Sequence, residues 1–166
     1  MSRLSHFVKI FDEFSIQPFH MADFESLVEL EKQSFPTYHW TADDLKEELE
    51  RDPDCIHVIR HNSKVVGYVH TETELVKSKN GEQELVGEVS SIAVDREFRG
   101  RQLGEKLFRF GVKRLQNMGV DRVIINTKLD NHAMKNLAES KFGFEVTRIV
   151  KDMFYDGDDA YEMVLA

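Results

Sequence analysis

A chain of 166 residues with a net charge of −8 suits one domain with its own core, and its acidity argues against general nucleic-acid binding. It is 41% hydrophobic and 31% charged, the composition of a soluble globular protein, and no apolar run approaches the ~20 residues of a membrane-spanning helix. Cys55 is the only cysteine, which excludes an intrachain disulfide and fits a reducing, cytoplasmic setting.

The opening MSRLSHFVKIFDEFSI has no continuous apolar core and no small-residue cleavage site, so residues 1–13 read as an extension and not as a signal peptide. Phe14 to Phe19 is a short first strand. Apolar residues at helical spacing from Asp23 to Phe35 predict a helix stopped by Pro36. A second helix starts at Thr41, an N-cap followed by acids in the first turn, and runs to about Arg51 before Pro53. Cys55–Arg60 and Val65–Leu75 are strands around the turn at residues 61–64. A hairpin turn with Asn80-Gly81, between Lys77 and Gln83, leads into a strand from Leu85 to Val94.

A helix follows, with Leu103, Leu107, Phe108, Gly111, Leu115 and Met118 on one face and Gly119 as its cap. Those side chains read as core packing. Val123–Thr127 is a strand, Asn131–Lys141 a helix, and Glu145–Met153 and Tyr161–Leu165 the last strands. The order β-α-α-β-β-β-α-β-α-β-β is mixed α/β (α+β). It predicts a central, mostly antiparallel twisted sheet of six to seven strands with about four helices, in one domain spanning residues 1–166.

The junction at Glu88–Gly104, EVSSIAVDREFRGRQLG, carries the chemistry. A strand, a turn rich in Gly and Arg, and a helix start make a phosphate-binding device, because the first N–H groups of a helix are unpaired and its dipole is positive there. Residues 96–114 hold seven basic residues against two acidic ones. Lys113 and Arg114 read as a solvated face, whereas Arg99 and Arg101 sit where a polyphosphate needs a counter-charge. The spacing is neither that of a P-loop nor that of a dinucleotide-binding turn. Seven histidines are scattered, and His57 and His61, four apart in a strand, do not converge on a metal, so none is expected.

The stretch Arg99-Gly100-Arg101-Gln102-Leu103-Gly104 resembles the acetyl-CoA motif R/Q-x-x-G-x-G/A of the GNAT superfamily of N-acetyltransferases, with Gln102 in place of the middle glycine. The element order, Asn131 opening the late helix, and Gly143-Phe144 closing it are similar to that family. Ser34-Phe35-Pro36 and the tail from Phe154-Tyr155-Asp156-Gly157 to Met163 resemble protein N-terminal acetyltransferases of the ribosomal-protein-alanine type.

The resemblance implies transfer of acetyl from acetyl-CoA, as co-substrate, to a primary amine. It places the acetyl-CoA motif at about residues 85–118. The backbone of Ile92, Ala93 and Val94 would pair with pantetheine. The pyrophosphate would lie on the turn from Arg99 through Gly104 and the helix start at Glu105, with Asn131 alongside. Glu88 lies four residues before Ile92, the offset of the catalytic glutamate in histone-acetylating relatives, and is the expected general base. Strict alternation would put it on the strand face of Ser90 and Ile92.

Two departures stand out. Ribosomal-protein alanine acetyltransferases carry a glutamate where this chain has Asn126, and the usual late-helix tyrosine acid falls at Ala138. Ser140 or Tyr155 are the substitutes available as general acid. Tyr38, Trp40 and Tyr155 are the expected acceptor-side residues. The acceptor is a peptide N-terminus, or alternatively a polyamine or amino sugar; a non-catalytic acyl-CoA-binding module is the reading from another class. The acidic first third, with 13 Asp+Glu against 5 Lys+Arg through Cys55, favours a cationic acceptor. Monomer and homodimer are both compatible with the sequence.

Overall fold

The computed structural model describes residues 13–166, so nearly all of the expected N-terminal extension lies outside the described residues. The elements in chain order are β1 (Ile16–Pro18), α1 (Phe24–Ser34), α2 (Ala42–Arg51), β2 (Ile56–His61), β3 (Lys64–Lys77), β4 (Gln83–Val94), α3 (Leu103–Asn117), β5 (Arg122–Lys128), α4 (His132–Phe142), β6 (Glu145–Val150) and β7 (Ala160–Leu165). Single 3-10 turns at Met21–Asp23 and Arg96–Phe98 precede α1 and α3.

Local chemistry sets the helix ends. The Asp44 N–H donates to the Thr41 hydroxyl at 3.2 Å, and the Asp44 carboxylate accepts from the Thr41 N–H at 2.7 Å, a reciprocal cap that starts α2. Asn131 caps α4 by accepting from the Met134 N–H at 3.2 Å. Gly143 ends that helix at φ +77°.

The strands form one sheet in the order β1-β2-β3-β4-β5-β7-β6. Among the described residues, only β4 and β5 run parallel. Each face has its own core. On one face α3 lays Leu107, Phe108, Val112 and Leu115 against Val69, Val89, Val123 and Ile125. On the other, Leu27, Leu30 and Leu45 from α1 and α2 cover Ile56, Val58 and Tyr68. α3 lies close to the sheet: a Cβ on Gly87 would come within 2.9 Å of Leu115 Cδ2.

Two expected strands are shorter than the pattern suggested. β1 keeps three residues. β6 stops at Val150 because the chain turns at Asp152, whose φ is +51° and whose N–H donates to Asp159 at 3.0 Å. Residues 151–159 are therefore a loop, longer than the expected turn at residues 156–159.

Two irregularities in the middle of the sheet build the site. The parallel pairing of β4 with β5 covers only Val86–Glu88 against Arg122–Ile124. Beyond Glu88 the two strands separate, and Val89–Val94 pairs with β3 alone. At that point Thr71 faces Val89 but His70 faces Ser91, so Ser90 is an extra residue, a β-bulge in β4. The bulge corrects one expectation. It inverts the alternation, so Ile92 packs with the α3-side core, while Glu88 lies across from Glu72 on the opposite face.

Candidate active site

The separation of β4 and β5 opens a cleft of about 920 Å³ that passes from one face of the sheet to the other. On the α3–α4 side it is lined by Gly104, Glu105, Asn131, Met134 and Leu137; at its waist by residues 89–92 of β4 and 125–128 of β5. On the far side its walls are Ser34 at the end of α1, the loop after it (residues 35–38), Trp40, and the loop at Phe154–Asp156.

The α3 end fits a pyrophosphate. The first intrahelical bond is Lys106 N–H to the Gln102 carbonyl at 3.1 Å, so the preceding amides at Leu103–Glu105 have no partner within the helix. Gly100 and Gln102 both adopt the left-handed conformation, with φ of +79° and +61°. That explains the glycine usual at the Gln102 position, since a side chain there is strained by roughly 1–2 kcal/mol. Gln102→Gly is therefore expected to raise the melting temperature without weakening CoA binding, as read by paired thermal melts and calorimetry. Arg99 Nε donates to the Val94 carbonyl at 3.2 Å, and the Arg101 guanidinium stands 5.1 Å from the Phe98 ring centre. Glu105 is bound by Lys141 at 3.0 Å and Arg109 at 3.2 Å, which keeps its charge balanced at the helix start.

At the waist, Glu88 is half-buried behind the cleft wall, and the Asn126 amide donates to its carboxylate at 3.1 Å. Burial pushes the Glu88 carboxyl above its ordinary value, Glu162 and Glu74 push the same way, and the Asn126 bond opposes them only in part. Asn126 itself lines the cleft, and its own carbonyl oxygen is buried without a partner. A carboxyl with raised proton affinity, touching a cleft-wall amide, has the properties of a general base.

On the far side Tyr38 and Tyr155 stack at 4.3 Å between ring centres and 17° between planes. Tyr155 is 77% exposed, so the pair forms an outer lip. The loop carrying Tyr38 is tethered by buried Glu31, which accepts from the Trp40 N–H at 3.0 Å and from the Tyr68 hydroxyl. Lys128 holds the opposite loop through Asp156 and Asp158.

The family model described as the Acetyltransferase (GNAT) family matches residues 24–144. The chain belongs to the GNAT acetyltransferase family. A Bacillus subtilis protein provisionally named a ribosomal protein bS18-alanine N-acetyltransferase is 28% identical over 151 residues, 90% of this chain and 93% of its own. An N-alpha-acetyltransferase of Sulfurisphaera tokodaii is 24% identical, covering 91% and 92% of the two chains. Among solved structures, Arabidopsis thaliana Naa50 with the bisubstrate analogue CoA-Ac-MVNAL superposes with a TM-score of 0.71 at 16% identity, over 93% of this chain and 99% of that one.

Within this GNAT fold the expected residues separate into groups. Ile92, Gly104, Glu105, Asn131, Tyr38, Trp40 and Tyr155 meet on the cleft. Ala93 and Leu103 are buried in the two cores, Val94 packs beside the second of them, and Arg99 to Gln102 form the turn beneath the helix start. Ser140 is exposed and turned back on its own helix, its hydroxyl donating to the Asn136 carbonyl, and it is not part of the cleft wall. Ala138 is fully buried and its methyl side chain has no proton to donate, so no acid acts from that position. Sequence reasoning missed Glu31, Glu48, His70, Glu72, Ser90 and Ser91 on the cleft. For Tyr68, His70 and Glu72 the signal was alternation along β3, which puts all three on the α1–α2 face.

Proposed function

We propose that this GNAT protein transfers acetyl from acetyl-CoA to the α-amine of a protein or peptide N-terminus, with Glu88 as general base. The observation that carries the proposal is the cleft through the sheet. A helix start with amides unpaired within the helix lies at one end and an aromatic lip at the other. Between them lies a β4 edge that β5 leaves unpaired beyond Glu88. An unpaired strand edge offers N–H and C=O groups to an extended ligand such as pantetheine.

Bound acetyl-CoA supplies an activated thioester carbonyl. The chain's own residues do the rest. The helix start at Leu103–Glu105 holds the phosphates. The backbone at residues 92–94 fixes the pantetheine arm. Glu88, through a water beside the cleft-wall amide of Asn126, takes a proton from the acceptor ammonium. The amine nitrogen then bonds to the acetyl carbon, the carbon–sulfur bond breaks, CoA leaves as thiolate, and the second amine proton passes to that thiolate to give the neutral amide and CoA thiol. A thiol of ordinary pKa, about 8.5, leaves without strong acid help, which accommodates an alanine at position 138.

The relatives, a ribosomal-protein-alanine N-acetyltransferase by provisional name and an N-alpha-acetyltransferase, support the peptide acceptor, and so does the pair of loops that frame the lip. A small polyamine or amino sugar is the second reading, favoured by carboxylates on the far wall, Glu31, Glu48 and Glu72. The test is kcat/KM over a panel of free-N-terminus peptides, polyamines and aminoglycosides. Peptides are expected to lead, whereas a polyamine optimum would replace the first reading with the second. Tyr155→Ala separates the two sides of the cleft: the acceptor KM should rise about tenfold, the loss of one aromatic contact, with the CoA Kd unchanged. A weaker CoA Kd with an unmoved acceptor KM would place the loop on the cofactor side.

A further inference from the structure

We propose that Glu48, Cys55 and His70 form a three-ligand site for Zn²⁺ beneath the acceptor side of the cleft, with its fourth position turned towards the cleft. The three come from different elements: α2, the residue before β2, and β3. One carboxylate oxygen, the thiol sulfur and one imidazole nitrogen all lie within 4.8 Å of one another. His70 is 4% exposed and Cys55 2%.

The state of the imidazole points to a ligand. His70 Nε2 is buried with no hydrogen-bond partner. Its neighbour is Glu48 Oε2 at 3.4 Å. That is outside the ~2.7–3.2 Å range of an N–H···O bond. It is the separation of two ligands on one tetrahedral zinc, since bonds of about 2.0–2.2 Å at the tetrahedral angle put N and O about 3.4 Å apart. Separations of up to 4.8 Å exceed the roughly 3.6 Å between ligand atoms on one zinc, so the thiol must move inwards to meet a bond of about 2.3 Å.

The surroundings hold the ligands in the way zinc ligands are held. His70 Nδ1 lies 2.7 Å from the Ser90 hydroxyl, which also lies 3.3 Å from the His70 carbonyl. With Ser90 donating to that carbonyl, Nδ1–H donates to Ser90 and Nε2 keeps its lone pair for a metal. The Trp40 ring abuts the imidazole at 5.0 Å, near perpendicular, and fixes its plane. Glu48 Oε1 lies 3.5 Å from Arg51, leaving Oε2 towards His70. Asp52 and Arg114 pair with each other at 2.8 Å beside the site, and Glu72 adds a further carboxylate. Glu48 and His70 also line the cleft, so three protein ligands with the fourth position accessible is the arrangement of zinc sites that keep an exchangeable ligand. The expectation of no metal rested on His57 and His61, which are engaged elsewhere, with Phe110 and with Glu13.

The test uses the full chain, stripped with chelator, and metal alone. Zn²⁺ titrated against a chromophoric chelator is expected to bind at about one equivalent with Kd below about 1 μM. Co²⁺ should give a thiolate-to-metal charge-transfer band, which only Cys55 can supply. Cys55→Ser should remove that band, and His70→Gln and Glu48→Gln should each weaken Zn²⁺ binding by at least about tenfold. Circular dichroism checks that each variant is folded, and Glu48, half-buried on α2 and outside the apolar clusters, provides a variant that spares the core. Absence of stoichiometric binding to the wild-type chain would overturn the site. So would Co²⁺ binding with no charge-transfer band, which would place the metal on surface histidines. Neither outcome depends on acetyl transfer, so the functional reading stands or falls separately.

Discussion

Glu88→Gln is expected to lower kcat by 10²- to 10⁴-fold, about 3–5 kcal/mol of barrier, with CoA affinity intact. The amide keeps the shape and can still accept from Asn126, so only the proton acceptor is lost. The pH dependence carries the sign. Burial raises the Glu88 carboxyl, so the basic form accumulates as pH rises through that raised value. Wild-type kcat/KM should therefore climb on the acid side through an apparent pKa above the ordinary glutamate range. That limb should be absent in the variant, and high pH should partly rescue it by deprotonating the acceptor amine directly. Stability should move the other way. A carboxyl whose folded pKa is raised destabilises the fold once ionised, so the neutral glutamine should not lower the melting temperature at pH 7. Retention of more than about a third of kcat, with chemistry rate-limiting, would make Glu88 an ordinary strand carboxylate.

Gly104→Glu is expected to abolish CoA binding. A Cβ built on Gly104 meets nothing within 4 Å, so the fold has room for the side chain. The open space is the cleft at the helix start, where the first amides point. A carboxylate there would occupy the pyrophosphate position with charge of the wrong sign. Because the fold tolerates the substitution, loss of binding in a protein of unchanged melting temperature reports on the phosphate site. Gly104→Ala, without the charge, should retain part of the affinity. Calorimetry showing wild-type CoA affinity for Gly104→Glu would remove the phosphate assignment.

The elements of this fold were legible in the sequence where one local rule decides. Thr41 and Asn131 are side-chain caps, Gly119 and Gly143 are left-handed helix ends, and the apolar face of α3 has helical period. β1 pairs with β2 only over Ile16–Pro18, with one further bond from the Phe19 N–H to the Ile56 carbonyl at 3.1 Å. The end of β6 is set by a distant partner, Asp159, which no local pattern announces. The main geometric surprise is the single inserted residue Ser90. Period-two reading put Glu88 and Ile92 on one face, and a bulge of one residue separates them. The turn at residues 99–104 and the helix start after it were readable because helix-start chemistry is local in sequence. The far wall of the cleft draws Glu31, Glu48 and His70 from three elements, and tertiary pairing alone brings them together.

The most direct test uses acetyl-CoA carrying an isotopic label in the acetyl group. The acceptor is a peptide with a free α-amine and one internal lysine, and fragmentation mass spectrometry locates the label. The account predicts label on the α-amine, formed at one equivalent of free CoA per acetyl transferred, and lost with Glu88→Gln. CoA binding with no label on any amine, or label confined to the lysine side chain, would contradict it.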